Sequence, residues 1–156
     1  MLHVIVVLLV LSYINVIEAY VVSSLGSEAL QIKINTNVAA TIGDTHVELW
    51  CSYIKDGGDY IYYIKMEARN KTSEKYLQIA SFYPLSNREA ELTVEYLTGR
   101  VSLTSPTDQS SKAILTFNKI QCVDDTDYIC GISYDTNGIG GTTEYTSSTS
   151  ITVTSK

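Results

Sequence analysis

The sequence predicts an all-β protein built as a two-sheet antiparallel sandwich. Short runs of Tyr, Thr, Ile, Val and Ser alternate with clusters of turn residues, and no stretch of ten residues repeats apolar positions at helical spacing. Proline appears only at Pro84 and Pro106, so little interrupts those runs. Strands with no helix between them pack as an antiparallel sandwich or barrel. A pair of cysteines on two such strands then narrows the choice to the sandwich.

The chain opens with residues 4–17 (VIVVLLVLSYINVI), almost wholly apolar but short for a bilayer span. They run into Ile17-Glu18-Ala19, a small residue before a cleavage point, so residues 1–19 are expected to be a secretory signal peptide. The first residues carry no Lys or Arg, only His3, which leaves an uncleaved anchor as the other reading. Cleavage moves the formal charge from −6 to −5, because Glu18 leaves and no Lys or Arg does. Such a mildly acidic chain without a basic run offers nucleic acid or anionic lipid little to hold. No second apolar segment of spanning length follows the leader. Residues 20–29 are a lead segment, and 30–154 the folded domain.

The strand-like runs are LQIKI (30–34), HVELWCSY (46–53), YIYYIKMEA (60–68), YLQIASFY (76–83), RVSLT (100–104), AILTFNKI (113–120), DYICGISY (127–134) and SSTSITVTS (147–155). Gly43-Asp44, Asp56-Gly57-Gly58-Asp59, Asn137-Gly138 and Gly140-Gly141 separate them with turn chemistry. In VELWCSY, Val47, Leu49 and Cys51 share one side of a period-2 strand; in DYICGIS, Tyr128, Cys130 and Ile132 do the same. Two inward cysteines 79 positions apart suit a disulfide between the sheets. Closing so long a loop removes roughly 4–5 kcal/mol of unfolded-state entropy in the chain-entropy account.

Asp124-x-Thr126-x-Tyr128-x-Cys130 resembles the D-x-[small]-x-Y-x-C signature of the immunoglobulin superfamily, with Tyr128 two residues before the second Cys as in the tyrosine corner. Gly43-Asp44 with VELWCSY looks like the turn and strand B of a variable-type domain. GRVSLT, then SSKAILTFNKIQCVDD, looks like strands D and E running into the E–F corner. The long interval between Cys51 and Cys130, with strand-like segments at 76–83 and 91–97, is similar to the V-set with its additional C′ and C″ strands. The resemblance covers roughly residues 30–154 and implies a Greek-key sandwich of immunoglobulin V-type. It further implies that Asp124 pairs with an arginine opening strand D, here Arg100.

Two departures stand out. The strand-C tryptophan of the family is missing, and Tyr63 is the best occupant of its place. The only tryptophan, Trp50, adjoins Cys51 and should point away from the core. The last strand also lacks the Gly-x-Gly bulge of rearranging receptors. The resemblance is therefore closer to cell-surface recognition domains and to secreted immunoglobulin-like proteins of invertebrate immunity.

Other chemistries have little to stand on. Asp124, Asp125 and Asp127 could form a calcium loop, but the family pattern gives Asp124 a structural role and leaves the other two to water. No metal or cofactor is expected. Cys122 and Cys130 stand in a C-x7-C spacing that matches no oxidoreductase motif. The single histidine after the leader, His46, begins a strand, and no serine sits in a nucleophile elbow. Gly138-Ile139-Gly140-Gly141 reads as a hairpin tip, not a phosphate loop. An enzyme is not expected.

Binding remains, and the resemblance says where to look. One region is the set of tips at 53–60, near 84–90 and at 134–144, whose candidates are Tyr53, Asp56, Asp59, Tyr60, Tyr134, Asp135 and Asn137. The other is the outer C–F–G face: with Tyr63 and Cys130 inward, Tyr62, Ile64, Met66 and Ile129 point outward as an apolar partner face. The leading expectation is a secreted module of immune recognition or adhesion that binds a protein or glycan. The alternatives are a sugar- or small-ligand-binding sandwich and the N-terminal domain of a longer receptor or lectin. Asn70-Lys71-Thr72 is the one N-x-[ST] sequon, so Asn70 is a glycosylation candidate. Cys122 is left over in the E–F turn. It is expected to lie too far from Cys51 and Cys130 to bridge either, and to link to another chain, to fill an apolar gap, or to remain a reactive thiol. A homodimer or heterodimer is expected through the C–F–G face or through Cys122.

Overall fold

The computed structural model describes residues 30–55, 57–138 and 140–155. The expected leader, the lead segment and Asp56 lie outside them. Among the described residues eleven strands follow one another: β1 (Gln31–Ile34), β2 (Val38–Thr41), β3 (Val47–Ile54), β4 (Asp59–Arg69), β5 (Tyr76–Phe82), β6 (Glu91–Leu92), β7 (Val101–Thr104), β8 (Lys112–Phe117), β9 (Thr126–Thr136), β10 (Thr142–Tyr145) and β11 (Thr149–Thr154). They form two sheets, one ordered β1-β3-β8-β7 and the other β2-β11-β9-β4-β5-β6, with β10 also beside β9. All pairings are antiparallel except β2 with β11, where the chain crosses from the first sheet to the edge of the second.

Two strands escape the sequence reading. In β2 the run VAAT is too short and too poor in large apolar residues to show a period. β10 lies inside the region expected to be a loop tip, so the hairpin from β9 to β10 is strand down to residues 137–141. Between β10 and β11 the pairing with β9 slips by one residue. Thr146 keeps the ladder satisfied there: its N–H donates to the Cys130 carbonyl at 2.8 Å, and its Oγ1 accepts from the Cys130 N–H at 3.0 Å.

The core follows the period of two. In β3, Leu49, Cys51 and Tyr53 are buried while Trp50 and Ser52 turn outward, where Lys112 stands 4.7 Å over the Trp50 ring. Cys51 and Cys130 are bridged with their Cα atoms 6.2 Å apart, inside the usual disulfide range. Leu49, Leu115, Phe117, Tyr128 and Ile132 belong to the same buried cluster. Phe117 and Tyr128 meet edge to face with ring centroids 6.5 Å apart.

Strand β4 corrects the phase expected for it. A bulge between Ile61 and Tyr63 places two consecutive tyrosines, Tyr62 and Tyr63, on the outer side. Beyond it the alternation is inverted: Ile64 and Met66, expected outside, are fully buried, with Ile64 opposite Ile132 and Met66 opposite Cys130. Tyr63, expected in the core in the tryptophan's place, is only half-buried, opposite Ser133. A one-residue slip exchanges the faces of every later residue, and the run of letters does not announce it.

At the far end of the sandwich the chain between β8 and β9 folds into a 3₁₀ turn, Cys122–Asp124, which is a capping box on Gln121 and Asp124. Asp124 is wholly buried. Arg100 grips it with two parallel bonds, Nη1 to Oδ2 at 2.9 Å and Nη2 to Oδ1 at 3.1 Å. Two further donors of Arg100 are used on carbonyls, Nε on Tyr96 at 3.0 Å and Nη1 also on Lys119 at 3.3 Å. The Asp124 Oδ2 accepts a further bond from the Gln121 N–H, and the Tyr128 hydroxyl donates to the Asp124 carbonyl at 2.9 Å. Arg100, Asp124 and Tyr128 thus form one lock that joins the start of β7 to the turn into β9.

Cutting the lock should therefore cost more than a surface ion pair. Arg100→Ala strands a buried carboxylate, so urea unfolding should show a loss of roughly 3–5 kcal/mol. Arg100→Lys should recover only part of it, since an ammonium cannot make the paired bonds. A loss no larger than that of an exposed pair would refute the assignment. Replacing either bridged cysteine should cost about 2–5 kcal/mol in the same assay.

Candidate partner-binding face

The outer face of the second sheet is built from β10, β9, β4 and β5. Outward positions of β4 are Tyr60, Tyr62, Tyr63 and Lys65, set by alternation and by the bulge. At the centre Lys65 and Glu67 form an ion pair at 2.7 Å, with side chains only 15% and 12% accessible. Charges so covered persist because each satisfies the other. Burial acts to lower the Lys65 pKa, but the hydrogen bonds and charge of Glu67 and Tyr145 outweigh it and hold the ammonium above its ordinary value.

Tyrosines lie over and around this floor. The Tyr145 ring sits 4.7 Å below the Lys65 ammonium. Both cross the F-like strand β9 at Gly131, where an added Cβ would stand 2.9 Å from Lys65 Cε and from Tyr145 Cε1. Tyr60 and Tyr62 meet edge to face at 5.2 Å, and Tyr62 donates to Asp135 Oδ2 at 3.2 Å. That hydrogen bond raises the Tyr62 pKa, with smaller contributions from burial and charge. Toward β5, the Tyr83 hydroxyl donates to Glu91 at 2.7 Å, and Arg88 both pairs with Glu91 and lies 4.0 Å over the Tyr83 ring. Tyr60, Tyr62 and Tyr145 remain 50%, 45% and 48% exposed.

Of the expected partner-face set, Tyr62 is exposed, Ile129 is half-buried, and Ile64 and Met66 lie in the core. The face is aromatic and charge-paired rather than aliphatic. Tyr145 was missed because 134–144 was read as a loop, which hid the strand TTEY, and Lys65 and Glu67 because the phase expected for β4 turned them inward.

The expected loop set divides as well. Tyr53 and Asp59 are buried, and Asp59 accepts from the Thr136 hydroxyl at 2.7 Å, so both serve the framework. Tyr60 and Asn137 are exposed. Asn137 and Gly138 adopt left-handed backbone, φ 53 and 74, at the tip of the β9–β10 hairpin. The Asn137 N–H donates to the Gly58 carbonyl at 3.2 Å, joining that tip to the one between β3 and β4. Asp135 accepts from Tyr62 and from the Gly140 N–H, and Tyr134 donates to Glu144 at 2.6 Å.

The acids at the opposite pole are engaged with cations. Asp124 holds Arg100, Asp125 holds Lys71 at 3.4 Å, and Asp127 holds Arg69 at 3.4 Å. Among the described residues no three His, Cys, Asp or Glu side chains come together as a metal site. His46 is an exposed turn residue with φ 60.

Solved structures show the same architecture. Murine CRIg aligns over 81% of this chain and 98% of its own, with a TM-score of 0.67 and 16% identity. The chain has the variable-type immunoglobulin fold. A chain from a structure titled for T cell specificity and activation by the bacterial superantigen toxic shock syndrome toxin-1 aligns over 81% of this chain and 100% of its own, with a TM-score of 0.64 and 14% identity. No protein-family model and no curated protein matches the sequence. In the nomenclature of the fold, β3, β4, β5, β9 and β10–β11 are strands B, C, C′, F and G.

The hydrogen bond to Glu144, assisted by burial and nearby charge, raises the Tyr134 pKa to about 12; burial raises Tyr128 further. Because the folded values lie above the unfolded value of about 10, the stability they contribute is complete below pH ~10 and lost as pH rises past it. Tyrosinate absorbance should show Glu144→Gln moving one titration down toward the ordinary range. Absence of that movement would show that the hydrogen bond does not set it.

Proposed function

We propose that the chain is a secreted recognition module of immune or adhesive type, binding a protein partner through the C–C′–F–G face without catalysis. The observation that carries this reading is the exposed trio Tyr60, Tyr62 and Tyr145 over a packed, charge-paired floor. Tyrosines supply broad contact area at low conformational cost and keep a hydroxyl for polar groups of a partner. A floor whose cation and anion are already paired leaves no charge to be stranded when a partner excludes water. The joined B–C and F–G tips extend the same surface.

An extracellular setting is supported by the Cys51–Cys130 bridge and by the leader-like start of the sequence. No helix among the described residues is long and apolar enough to cross a membrane. A glycan ligand is the second reading, favoured by the same exposed aromatic rings, on which sugars stack.

Multimerised protein applied to cells of the source tissue tests the proposal. Staining should be lost on protease treatment of the cells, and should fall at least roughly tenfold, about 1.4 kcal/mol, in a Tyr60→Ser, Tyr62→Ser, Tyr145→Ser variant. Trp50→Ser, on the outer face of the other sheet, should leave it intact. Staining that survives the triple variant would overturn the face assignment, and loss with glycosidase alone would favour the glycan.

A further inference from the structure

At the pole opposite the joined tips lies a groove of about 450 Å³, within the roughly 300–1,000 Å³ range of small-molecule sites. Leu77, Tyr96 and Val123 converge in it while remaining 47%, 45% and 53% exposed. Cys122, an exposed free thiol, lines the same groove. Its lip is formed by Asn70 and Thr72, the first and last residues of the sequon. The hairpin carrying the sequon is fixed to the E–F corner: the Thr126 hydroxyl donates to the Arg69 carbonyl at 2.7 Å, and Lys71 pairs with Asp125. Asn70 Oδ1 accepts from the N–H groups of Thr72 and Ser73, both at 2.9 Å. This orients the amide and leaves Nδ2, the atom to which N-glycans attach, outside the turn.

We propose that Asn70 carries an N-linked glycan whose first N-acetylglucosamine packs into this groove and shields Cys122. The proposal rests on the extracellular reading. In the transfer, Asn70 Nδ2 bonds to the anomeric carbon of a lipid-pyrophosphate-linked oligosaccharide. The carbon–oxygen bond to the pyrophosphate breaks, the lipid pyrophosphate leaves with that electron pair, and one amide proton passes to the transferring enzyme's base. The groove suits a sugar because it is amphipathic in the same way: a tyrosine ring for the apolar ring face, Leu77 and Val123 for the acetyl methyl, and Lys71 and Thr72 at the wet edge. An occupant tethered at the lip also accounts for an apolar patch and a free thiol left open on an extracellular domain.

The test uses the full chain purified from the medium of a eukaryotic host that adds oligomannose glycans. Peptide N-glycosidase should lower the intact mass by one glycan, and Thr72→Ala should abolish the shift. Under native conditions maleimide should modify Cys122 slowly in the glycoprotein and as slowly after an endoglycosidase leaves a single N-acetylglucosamine. Removing that last sugar should raise the rate roughly tenfold. A rate that rises once the outer sugars are gone, or never changes, overturns the packing. A doubled mass on non-reducing electrophoresis, lost in Cys122→Ser, gives the groove to a second copy and also overturns it. Secreted protein without a glycan overturns this proposal and leaves the recognition reading standing, whereas a chain that is never exported removes both.

Discussion

The bridge between Cys51 and Cys130 is the constraint around which the sandwich is organised. It ties strand B of one sheet to strand F of the other across a long stretch of chain, so it restricts the unfolded ensemble more than any local contact can. Its two strands also carry the centre of the core, with Leu49 and Tyr53 on one side and Tyr128 and Ile132 on the other. Once these strands are held face to face, their alternation decides what else is inside. The large indole usual beside such a bridge is absent, and the buried cluster is completed by the smaller Ile64 and Met66. Several flexible or branched side chains fill the space of one rigid ring, which an interior tolerates when total volume is kept.

The Arg100–Asp124–Tyr128 lock does a different job. Apart from the buried Tyr128 ring it adds little apolar burial, yet it satisfies a charge and several carbonyls at a place where the chain must leave one sheet and enter the other. A turn that crosses the end of a sandwich exposes backbone groups that no ladder can pair. Assigning the Tyr96 and Lys119 carbonyls and the Gln121 N–H to one guanidinium and one carboxylate helps give the crossover a single geometry. The hairpin bearing Asn70 is then anchored on the same corner through Arg69, Lys71, Asp125 and Asp127. Those contacts fix the walls of the groove beside Asn70, while the opposite tips and the C–C′–F–G face form a separate open surface.

That face owes its character to the bulge at Tyr62. Without it the period of β4 would turn Ile64 and Met66 to solvent and Tyr63 inward. With it the aliphatic residues enter the core and successive tyrosines emerge beside Lys65 and Tyr145. Gly131 completes the arrangement, since an added Cβ there would crowd both side chains where they cross the strand. An aromatic, internally neutralised surface results where a purely aliphatic one was expected, and the two invite different partners.

What was legible in the sequence was whatever depends on neighbours along the chain. The period of two in VELWCSY and DYICGISY, the turn residues between strands, and the short motif around Tyr128 and Cys130 each act over a few residues; they indicated the sandwich and the bridge, and the family resemblance carried by that motif implied the Arg100–Asp124 pair. Trp50 was rightly turned outward for the same reason. The tertiary structure alone decided where a period is interrupted. The extra residue at Tyr62, the slip at Thr146, and the passage of residues 38–41 to the other sheet are set by the register of a partner strand far away in sequence. Which side chains reach the binding face depends on those registers, because one residue of slip exchanges inside for outside.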